Sequence, residues 1–599
     1  MNEFFKKYGV LLLIAVLAWR AFVQYKHIGP ENQVLRADGK GYYAYLPALF
    51  IYHDGQMNFI DYYEHKYNPP EAYADFRNKD NGRYVDKYFA GVAILQLPFF
   101  LCAHAVSYLL HLPTDGYAPL YQQFFVAGAL FYLFLGMQFF FLYLIAWKVR
   151  PWQAWLVIAM ILLGTNAWHY TVYEQCMSHL YSLSMFGLFI YGTYRIIHTQ
   201  SKKWLVISLF IFGMIVVLRP VNMVILAFVP FVAGSWPNLK NGIMFVLRSY
   251  ASLAIGMLLA LLPVVIQSLL WHWQTGKFLV YSYGTEGMEW ANPKIFHILF
   301  SYRKGWFVWT PLAFIGVFGL FLSLKDWFRF FSISLFLLLV IYILSCWWTP
   351  DYGMGFGARE FIEFLFVPAI GLALILKRSK HWLLRIGFII ICLFGVYVNL
   401  VQEKQYRYHI ILWDGMDKTD YWRVFLRNSP GYYYFLEERA GFVRPTLINT
   451  KVDKSFTHAF EHAQGWRNDD NVTKVEVHSG TWANYINNKH EVGAIFTYPI
   501  DSSIMQKDSL VQASIWFNGP QPDFTRLVIQ FVKDNKEVAR SFERLRKFAD
   551  HNFSWNQAIV QAPIPKDLPK GSIVNVYIDN TYNTETFYLD DFRIDFIKK

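Results

Sequence analysis

Apolar residues form long uninterrupted runs along the first two thirds of the chain, and polar residues lie between the runs. The runs cover approximately 9–25, 121–147, 152–171, 179–197, 204–219, 221–235, 250–271, 306–324, 329–346, 361–376 and 382–401. Their lengths are near the roughly 20 residues that an α-helix needs to cross a bilayer. The pattern therefore predicts a polytopic α-helical membrane region with about eleven transmembrane helices in residues 1–401.

One further apolar run, 88–110, decides the predicted topology. It contains Pro98 and two histidines. If the run does not cross, then Lys6, Lys7 and the basic residues of the later short links all lie on the cytoplasmic side. If it crosses, the later basic links move to the outside, against the positive-inside rule. We therefore predict one or two interfacial helices in this run, a cytoplasmic N-terminus and an uncleaved N-terminal anchor.

This topology puts the polar segments of the helical region on the outer face. They are the long first loop and four shorter segments, at 26–120, 166–178, 219–222, 272–305 and 347–360. The links on the cytoplasmic side are short and basic, and they contain no phosphate-binding glycine loop of the nucleotide-binding type. Any chemistry is therefore expected on the outer face.

The composition changes after residue 401. Residues 402–450 are polar and aromatic, and we interpret them as an external connecting segment. From residue 451 to 599 the pattern is of short strands, at Val472–Val477, Val492–Tyr498, Leu510–Phe517, Leu527–Val532, Ile573–Ile578 and Phe587–Phe596. We predict that this part is an all-β sandwich domain. Because it follows the last predicted span, we also predict that it lies on the outer side.

The overall composition agrees with a membrane protein. Of 599 residues, 55% are hydrophobic and only 16% are charged, whereas soluble proteins contain about 25% charged residues. The net charge of +12 is concentrated in the short links, where it sets topology, so it does not indicate a nucleic-acid partner. All 4 cysteines lie in or beside apolar runs, which leaves the β domain without a disulfide framework or a cysteine-based metal site.

The stretch from Arg36 to Pro47 places a carboxylate, Asp38, just outside the first apolar run. Glycines flank Asp38, and we expect them to allow a tight turn there. The tyrosines that follow, Tyr42 among them, are typical of an interfacial belt, and Pro47 is typical of a helix start. Asp38 is either a catalytic carboxylate or an ordinary solvated loop acid.

The outer segments combine carboxylates, cations and many aromatic residues. The carboxylates are Asp38, Glu174 and Asp351, and the cations are Lys87, Arg219, Arg303, Lys304 and Arg359. Arginine and lysine bind phosphate, aromatic faces stack on sugar rings, and a carboxylate can deprotonate an acceptor hydroxyl. This combination fits a lipid-linked sugar phosphate, a donor that is available outside the cytoplasm.

A long first external loop, an acid just after the first span and a second acid in the next loop resemble the GT-C superfamily of membrane glycosyltransferases. The pattern is most similar to protein O-mannosyltransferases and lipid A aminoarabinose transferase, the family 39 enzymes. The resemblance implies inversion at the sugar carbon and a role for Asp38 as base or acceptor-orienting group. It also implies donor-phosphate binding at Asp86-Lys87, although the two prolines of the family element are absent here.

Two further stretches resemble known proteins. The segments around Arg303-Lys304 and Gly357-Ala358-Arg359 resemble those of bacterial glycosyltransferase-like proteins. The C-terminal stretch Phe587–Arg593 resembles the last strand of carbohydrate-binding jelly-roll modules.

Several candidates have a simpler alternative. The alternative for Glu174 is that it pairs with His169 or His179, and the alternative for Arg359 is an ion pair with Glu360. The alternative for Lys87 is that it is an interfacial lysine whose charged end extends to the membrane surface. His169, His179 and Glu174 are candidate ligands of a divalent cation, but their spacing matches no strong metal motif. The cofactor therefore stays unassigned.

The sequence thus predicts a membrane glycosyltransferase that uses a polyprenyl-phosphate-linked sugar and a glycan, lipid or protein acceptor, in the inner membrane of a bacterium. The predicted catalytic residues are Asp38 and Glu174, and the predicted substrate-binding residues are Lys87, Asp86, Arg303, Lys304, Asp351, Arg359, His179 and Tyr42. A transporter or flippase is the first alternative, although no internal repeat is evident. A non-catalytic envelope assembly protein is the second alternative.

Overall fold

The computed structural model describes residues 2–26, 33–67, 75–353, 355–429, 432, 436, 443–500, 509–520, 525–550, 553–580 and 585–598. The chain divides into two compact units. The first comprises Met1–Glu403 and Trp413–Tyr421, and the second comprises Lys404–Leu412 and Trp422–Lys599.

Helices dominate the chain as far as residue 424. Their bounds are α1 (Asn2–Gln24), α2 (Asp38–Pro47), α3 (Phe59–Tyr67), α4 (Gly91–Leu109), α5 (Pro119–Ala146), α6 (Pro151–Gly164), α7 (Ala167–Val172), α8 (Ser178–Thr199), α9 (Lys202–Leu218), α10 (Val229–Ala233), α11 (Trp236–Arg248), α12 (Tyr250–Thr275), α13 (Ile295–Phe300), α14 (Trp306–Trp309), α15 (Pro311–Gly319), α16 (Trp327–Ser345), α17 (Phe366–Arg378), α18 (Trp382–Arg407) and α19 (Lys418–Val424). A π-helix covers Ala48–Tyr52, and 3₁₀ helices cover Pro220–Phe228, Leu320–Lys325 and Arg359–Phe364.

Of the helices that the structure describes, 5 are long and apolar enough to cross a membrane: α4, α5, α12, α16 and α18. The predicted count of about eleven spans is therefore not confirmed. Several of the predicted runs contain shorter helices, of which Tyr8–Gln24, Pro151–Gly164, Pro220–Ala233 and Pro311–Lys325 are apolar. The predicted run 306–324 is divided before Pro311, and 3₁₀ helices at Pro220–Phe228 and Leu320–Lys325 replace regular α-helix in two of the runs.

The apolar run 88–110 forms one helix, α4, which continues through Pro98. The hydroxyl of Tyr132 donates to the carbonyl of Leu95 over 2.7 Å. The ring Nδ1 of His104 lies 2.6 Å from the hydroxyl of Tyr121. Helix α4 therefore lies alongside the first half of α5 and runs in the opposite direction to it.

The long segment between α1 and α5 begins and ends at the same end of the helical unit. The backbone N–H of Val34, which follows α1 closely, donates over 2.8 Å to the side-chain oxygen of Gln122 in the first turn of α5. A segment with both ends on one side contains an even number of crossings. Helix α4 is itself long and apolar enough to cross, so its predicted interfacial position and the orientation of the unit in a membrane stay predictions.

Three predictions for the Asp38 stretch were wrong in their structural detail. Helix α2 starts at Asp38, and Pro47 is its last residue rather than its first. The tyrosines at 42, 43 and 45 are buried in the core and form no interfacial belt. The flanking glycines lie in the helix, where the lack of a side chain permits close packing: a Cβ on Gly39 would lie 2.3 Å from Sγ of Cys176.

A β-hairpin between α1 and α5 was not predicted. Strands β1 (Arg77–Asp80) and β2 (Arg83–Asp86) pair antiparallel around Asn81 and Gly82. Both turn residues have positive φ, 49° and 81°. Asn-Gly is the pair that a two-residue type I′ turn favours, so this dipeptide was the available signal.

Helices α5 and α8 are in backbone contact. A Cβ on Gly136 would lie 2.4 Å from Cα of Ser184, and a Cβ on Gly187 would lie 2.2 Å from the carbonyl oxygen of Gly136. Small residues permit such close approach between helices in apolar surroundings. The contact fixes the position of α8, whose N-terminus carries part of the candidate site.

The second unit contains two antiparallel sheets around one apolar core. Its strands are β3 (Val452–His458), β4 (Val472–Thr473), β5 (Ala483–Ile486), β6 (Phe496–Pro499), β7 (Leu510–Asn518), β8 (Arg526–Lys533), β9 (Lys536–Arg544), β10 (Asn556–Pro563), β11 (Ile573–Asp579) and β12 (Phe587–Ile597). One sheet has the order β10-β7-β12-β5-β4 with β3 beside β12, and the other has the order β6-β11-β8-β9. Alternate residues of both sheets fill the core, as in a sandwich.

The six predicted strands all correspond to observed strands, but β3, β5, β9 and β10 were missed. Strands β3, β9 and β10 each pair along one side only. Such edge strands carry more polar residues than central ones, and β9 (Lys536–Arg544) is strongly charged. A search for apolar alternation therefore passes over them.

Candidate functional site

One end of the helical unit brings together segments that are far apart in the sequence. The carboxylate of Asp38 lies 3.0 Å from Nη2 of Arg359, and Nη1 of Arg359 contacts the sulfur of Met177 at 3.9 Å. These contacts join the start of α2, the turn before α8 and the loop after α16. Three of the five predicted outer segments therefore meet at this point.

Asp38 is held by two partners. The Tyr88 hydroxyl donates to Oδ1 over 2.8 Å, and the Arg359 guanidinium pairs with Oδ2. Burial raises the pKa of Asp38, but Arg359 and the Tyr88 hydrogen bond outweigh burial and hold it below 3.8. The side chain is still 26% exposed. Asp38 is thus an oriented and partly exposed carboxylate, and its two partners favour its ionised form.

The loop before Arg359 is rich in glycine for a geometric reason. Gly353, Gly355 and Gly357 have φ of 70°, 152° and 61°, values that residues with a side chain rarely adopt. The loop lets the Tyr352 carbonyl accept from Nη2 of Arg359 over 2.6 Å. The guanidinium is therefore fixed by both the loop and the carboxylate of Asp38. Met354, in the same loop, lies outside the described residues.

A second charged group lies at the start of α8. The buried carboxylate of Glu363 accepts from Nη1 of Arg219 over 2.8 Å, and its other oxygen lies 2.9 Å from Nδ1 of His179. On the neighbouring residue, the Ser178 hydroxyl donates to the Tyr42 hydroxyl over 3.0 Å. The predicted substrate ligands His179 and Tyr42 are thus both placed at this end of the unit.

Glu174 pairs with His169 rather than with His179. Its Oε1 lies 3.5 Å from Nε2 of His169 and 3.5 Å from Nη2 of Arg36. Nδ1 of the same histidine lies 3.4 Å from Glu403. Burial lowers the pKa of His169, but the two carboxylates outweigh burial and raise it. Burial likewise opposes ionisation of Glu174, yet His169 and Arg36 lower its pKa to about 2.

Asp351 and Arg303 form a further cluster. The carboxylate of Asp351 lies 3.1 Å from Nε of Arg303 and 2.7 Å from Nε2 of His297. Arg303 also pairs with Asp414 over 2.5 Å. The predicted phosphate ligand Arg303 therefore has two carboxylate partners in the structure.

Lys304 and Glu360 are buried near Arg359. Lys304 donates to the carbonyl of Gly353, and it is 6% exposed. Burial and then the Arg359 charge lower the pKa of Lys304 to about 8. Burial raises the pKa of Glu360 to about 8, against the opposing effect of Lys304 and Arg359. Arg359 pairs with Asp38 and not with Glu360, so the alternative of an Arg359–Glu360 ion pair was wrong.

Lys87 and Asp86 are neighbours with different surroundings. Nζ of Lys87 lies 2.5 Å from Glu286 and near the ring of Tyr283, and the side chain is 21% exposed. Asp86 is 1% exposed, accepts from the backbone N–H of Tyr88 over 2.9 Å, and has a pKa raised by burial. Lys87 can meet a ligand at the surface, whereas Asp86 is enclosed beneath α2.

The structure does not gather the candidate cation ligands into one group. Glu174 lies with His169, and His179 lies with Glu363 and Arg219. Within the described residues, no group of three or more metal-ligating side chains could hold a metal ion.

Several charged partners were missed at the sequence level. Glu363 lies inside the predicted apolar run 361–376, and Glu403 lies just after the last run. An acidic residue within or beside an apolar run is itself a signal, because charge at membrane depth is costly without a function or a partner. Tyr88 had no comparable signal, since the sequence contains 40 tyrosines.

Comparison with known proteins yields structural similarity only. No protein-family model and no curated protein matches the chain. The archaeal oligosaccharyltransferase AglB from Archaeoglobus fulgidus is similar over 73% of this chain and 58% of its own length, at 12% identity and a TM-score of 0.36. The arabinosyltransferase EmbB from Mycobacterium smegmatis is similar over 97% of this chain and 64% of its own length, at 12% identity and a TM-score of 0.35.

A family 16 carbohydrate-binding module is similar over 22% of this chain and 90% of its own length, at 12% identity and a TM-score of 0.17. The chain thus spans less than two thirds of either membrane glycosyltransferase. At these TM-scores the similarities carry no argument, and the argument about the site comes from its geometry.

Proposed function

We propose that this chain is a membrane glycosyltransferase that moves a sugar from a polyprenyl-phosphate-linked donor to an acceptor hydroxyl, with Asp38 as the base. The single observation that carries the proposal is the state of Asp38: ionised, partly exposed, and oriented by Arg359 and Tyr88. A general base must be deprotonated and must be within reach of the proton that it removes. Asp38 meets the first requirement and is accessible to a substrate.

In the proposed reaction an oxygen of the acceptor attacks the anomeric carbon of the donor sugar. The acceptor O–H bond breaks and its proton passes to Asp38. The bond between the anomeric carbon and the phosphate oxygen breaks, and the lipid phosphate leaves with the electron pair. Inversion at the sugar carbon is an expectation of the GT-C resemblance. Arg359 then has a neutral partner in place of the Asp38 carboxylate, and its charge can stabilise the departing phosphate.

The other candidate residues have supporting roles in the proposal. Tyr42, between Asp38 and the start of α8, can hydrogen-bond a sugar hydroxyl. Lys87 interacts electrostatically with Asp38, and Lys304 with Arg359, and in the proposal both add positive charge for the donor phosphate. Glu174 is the second candidate carboxylate, with His169 and Arg36 each 3.5 Å from it. No step of the proposal passes through a metal ion.

Location is part of the same proposal. The helical unit lies in the inner membrane with the Asp38 end at the periplasmic face, where nucleotide sugars are absent and lipid-linked sugars are present. The acceptor is a glycan, a lipid or a protein. Five helices of membrane-spanning length and composition support the membrane placement.

The test is a transfer assay in reconstituted membranes with a panel of radiolabelled polyprenyl-phosphate sugars and envelope extracts as acceptors. Asp38→Asn keeps the shape of the side chain and removes the base, so we expect transfer to fall by about a hundredfold or more. Asp80→Asn, which changes a carboxylate paired with Lys277 at the surface, is the matched control. Thermal unfolding of both variants checks folding.

Three other outcomes would contradict the proposal in different ways. Transfer that survives in Asp38→Asn would move the base elsewhere, and Glu174→Gln would be the next variant. Movement of a lipid-linked sugar across the membrane without transfer would favour a flippase. Wild-type protein that transfers from no donor would refute the transferase for every sugar in the panel.

A further inference from the structure

Basic side chains from separate links meet at the end of the helical unit that lies away from the candidate site. Helix α17 follows the 3₁₀ helix that starts at Arg359, and its 13 residues end at Arg378, about 20 Å further along the helix axis. Helix α8 begins at the candidate site, and Tyr194 near its C-terminus contacts Tyr143 near the C-terminus of α5. The C-termini of α5, α8 and α17 therefore lie at this second end.

Trp147, which directly follows α5, is the centre of the basic group. Cζ of Arg329 lies 5.5 Å from the centre of the Trp147 ring, and Nζ of Lys377 lies 5.7 Å from it. Nζ of Lys377 also donates to the Trp147 carbonyl over 2.9 Å. The Trp147 ring packs against Phe231. One anchored ring thus holds two cations from different helices within cation–π distance.

Two further cations are the chain neighbours of these residues. Lys148 follows Trp147 and is exposed. Arg378 is exposed as well, and its Nη1 donates to the carbonyl of Leu322. The four cations come from the α5–α6 link, the first turn of α16 and the last turn of α17. We call them the Trp147 cluster: Lys148, Arg329, Lys377 and Arg378.

The charge of the Trp147 cluster is poorly balanced. Among the described residues, its single ion pair joins Nη1 of Arg329 to Asp326 over 3.2 Å. Nε of Arg329 is buried without a hydrogen-bond partner in the same part of the chain. No aspartate or glutamate occurs in residues 116–173 or 364–402, which supply the other three cations. Partial burial lowers the pKa of Lys377, and the charges of its basic neighbours lower it further.

Topology alone does not account for this arrangement. Basic residues in cytoplasmic links orient a membrane protein by their number and their closeness to the spans, and they need no contact with one another. Here Arg329 and Lys377 converge on one ring although the resulting like-charge repulsion is unfavourable. A bound anion would remove this repulsion, and the anchored ring would hold the cations ready to receive it.

The surroundings of the Trp147 cluster favour a lipid over a free anion. Phe321 and Trp327 are 51% and 71% exposed. Phe321 precedes Leu322, whose carbonyl accepts from Arg378, and Trp327 is in the same turn of α16 as Arg329. Helix α16 is one of the helices long and apolar enough to cross a membrane. Exposed apolar rings beside a group of cations match the acyl chains and the phosphate of a phospholipid.

We propose that the Trp147 cluster binds the phosphate of an anionic phospholipid, whose acyl chains lie along Phe321 and Trp327. Basic pockets between membrane helices at the cytoplasmic side are suited to such headgroups. The planar fork of Arg329 can hold two phosphate oxygens, and the lysines act as point charges. This site is separate from the proposed transfer reaction, because it lies at the other end of the unit and its ligand is a bulk membrane lipid.

The test is a titration of the purified, delipidated full-length protein with radiolabelled phosphatidylglycerol in a neutral detergent. Each basic residue near an anionic lipid contributes about fivefold in affinity, so Arg329→Gln with Lys377→Gln should weaken binding about thirtyfold. Lys203→Gln with Arg248→Gln removes the same charge at exposed positions outside the cluster and should change binding less than about threefold.

A second pair of substitutions keeps the test valid if the first pair unfolds the protein. Lys148→Gln with Arg378→Gln changes two exposed side chains of the Trp147 cluster and should also weaken binding more than tenfold. Thermal unfolding of every variant checks folding. Unchanged affinity in this folded variant, or an equal loss in the Lys203 and Arg248 control, would overturn the proposal.

Competition identifies the ligand in the wild-type protein. Excess unlabelled phosphatidylglycerol should displace the label, whereas equal concentrations of phosphatidylcholine and of inorganic phosphate should not. Displacement by phosphatidylcholine would overturn the requirement for an anionic headgroup, and displacement by inorganic phosphate would overturn the lipid assignment. Wild-type protein that binds no phosphatidylglycerol would refute the site.

The outcome is separable from the transfer assay. Binding that depends on the Trp147 cluster in a protein that transfers no sugar would leave this site standing and refute the transferase. Normal transfer by a protein whose cluster variants bind phosphatidylglycerol as the wild type does would refute only the lipid site.

Discussion

Replacement of Arg359 tests the electrostatics of the site most directly. Its guanidinium lies 3.0 Å from Asp38, and the two side chains are 12% and 26% exposed. Two unit charges about 4 Å apart interact with about 4 kcal/mol at an effective dielectric constant near 20. Solvent screening reduces this value, and a neighbouring arginine typically lowers an aspartate pKa by about one to three units. One unit corresponds to about 1.4 kcal/mol.

In Arg359→Gln the positive charge is lost, while burial continues to raise the pKa of Asp38. We therefore expect the pKa of Asp38 to rise, because burial is then opposed by fewer charges. The base must be ionised to act, so the acid limb of the kcat/KM profile should move to higher pH by about one to three units. Arg359→Lys keeps a charge and should move the limb less.

The assay is the pH profile of transfer between about pH 4 and 9. A thermal-unfolding profile of each variant over the same range serves as control. The sign for stability follows from the depressed pKa: Asp38 contributes stability above its unfolded pKa of about 3.9, and that stability is lost as the pH falls through the folded value. An acid limb that stays in place in Arg359→Gln, or that moves equally in both variants, would refute the reasoning.

Three further predictions concern the surroundings of Asp38. Tyr88→Phe removes the other donor to that carboxylate, so the acid limb should shift upward by about one unit with little loss of thermal stability; an unchanged limb would contradict the role of the hydroxyl. Gly39→Ala should destabilise the protein by about 1–3 kcal/mol through a clash with Cys176, and Cys176→Gly should restore most of the loss in a double-mutant cycle. Glu174→Gln should lower the pKa of His169, which the Glu174 carboxylate helps to raise. The raised pKa stabilises the folded protein below about pH 6.5, the unfolded value, and this stabilisation is lost as the pH rises through the folded pKa. The drop in melting temperature should therefore be larger at pH 5 to 6 than at about pH 9, and a drop independent of pH would exclude this pairing.

The sequence located the site by its position along the chain. Asp38, Glu174 and Arg359 lie between apolar runs and His179 begins one, and the structure brings their segments to one end of the helical unit. This result follows from topology, because segments that separate every second span must meet on the same side. The number of spans was less predictable, since hydropathy does not reveal where a proline or a 3₁₀ turn divides a run, as at Pro311 within the run 306–324.

The pairing of charges could not be predicted from the sequence. Arg219 and Glu363 are 144 positions apart, and nothing in either local sequence indicates the other. The local sequence offered the adjacent Glu360 as an alternative partner of Arg359, whereas the structure pairs Arg359 with the distant Asp38. Charge pairs depend on the packing of the helices, which the order of residues does not show.

The strands of the β unit differed in how well the sequence predicted them. Central strands such as β7 (Leu510–Asn518) and β11 (Ile573–Asp579) alternate clearly and were predicted. The edge strand β9 (Lys536–Arg544) carries charges on its exposed side and gave no apolar signal. Its turn at Asp534 and Asn535, both with positive φ, was the usable clue to a hairpin.

The backbone contact between α5 and α8 at Gly136 and Gly187 has a consequence for how the protein tolerates change. Side chains elsewhere in the core can adjust their rotamers when a neighbour is replaced, but two backbones in contact have no adjustable layer between them. The register of α8, and with it the position of His179, is therefore set by atoms that substitutions cannot alter unless they fall on the contact itself. We expect substitutions elsewhere on these two helices to leave the positions of the charged groups unchanged. The two glycines should tolerate no substitution, while the remaining core positions should accept other side chains.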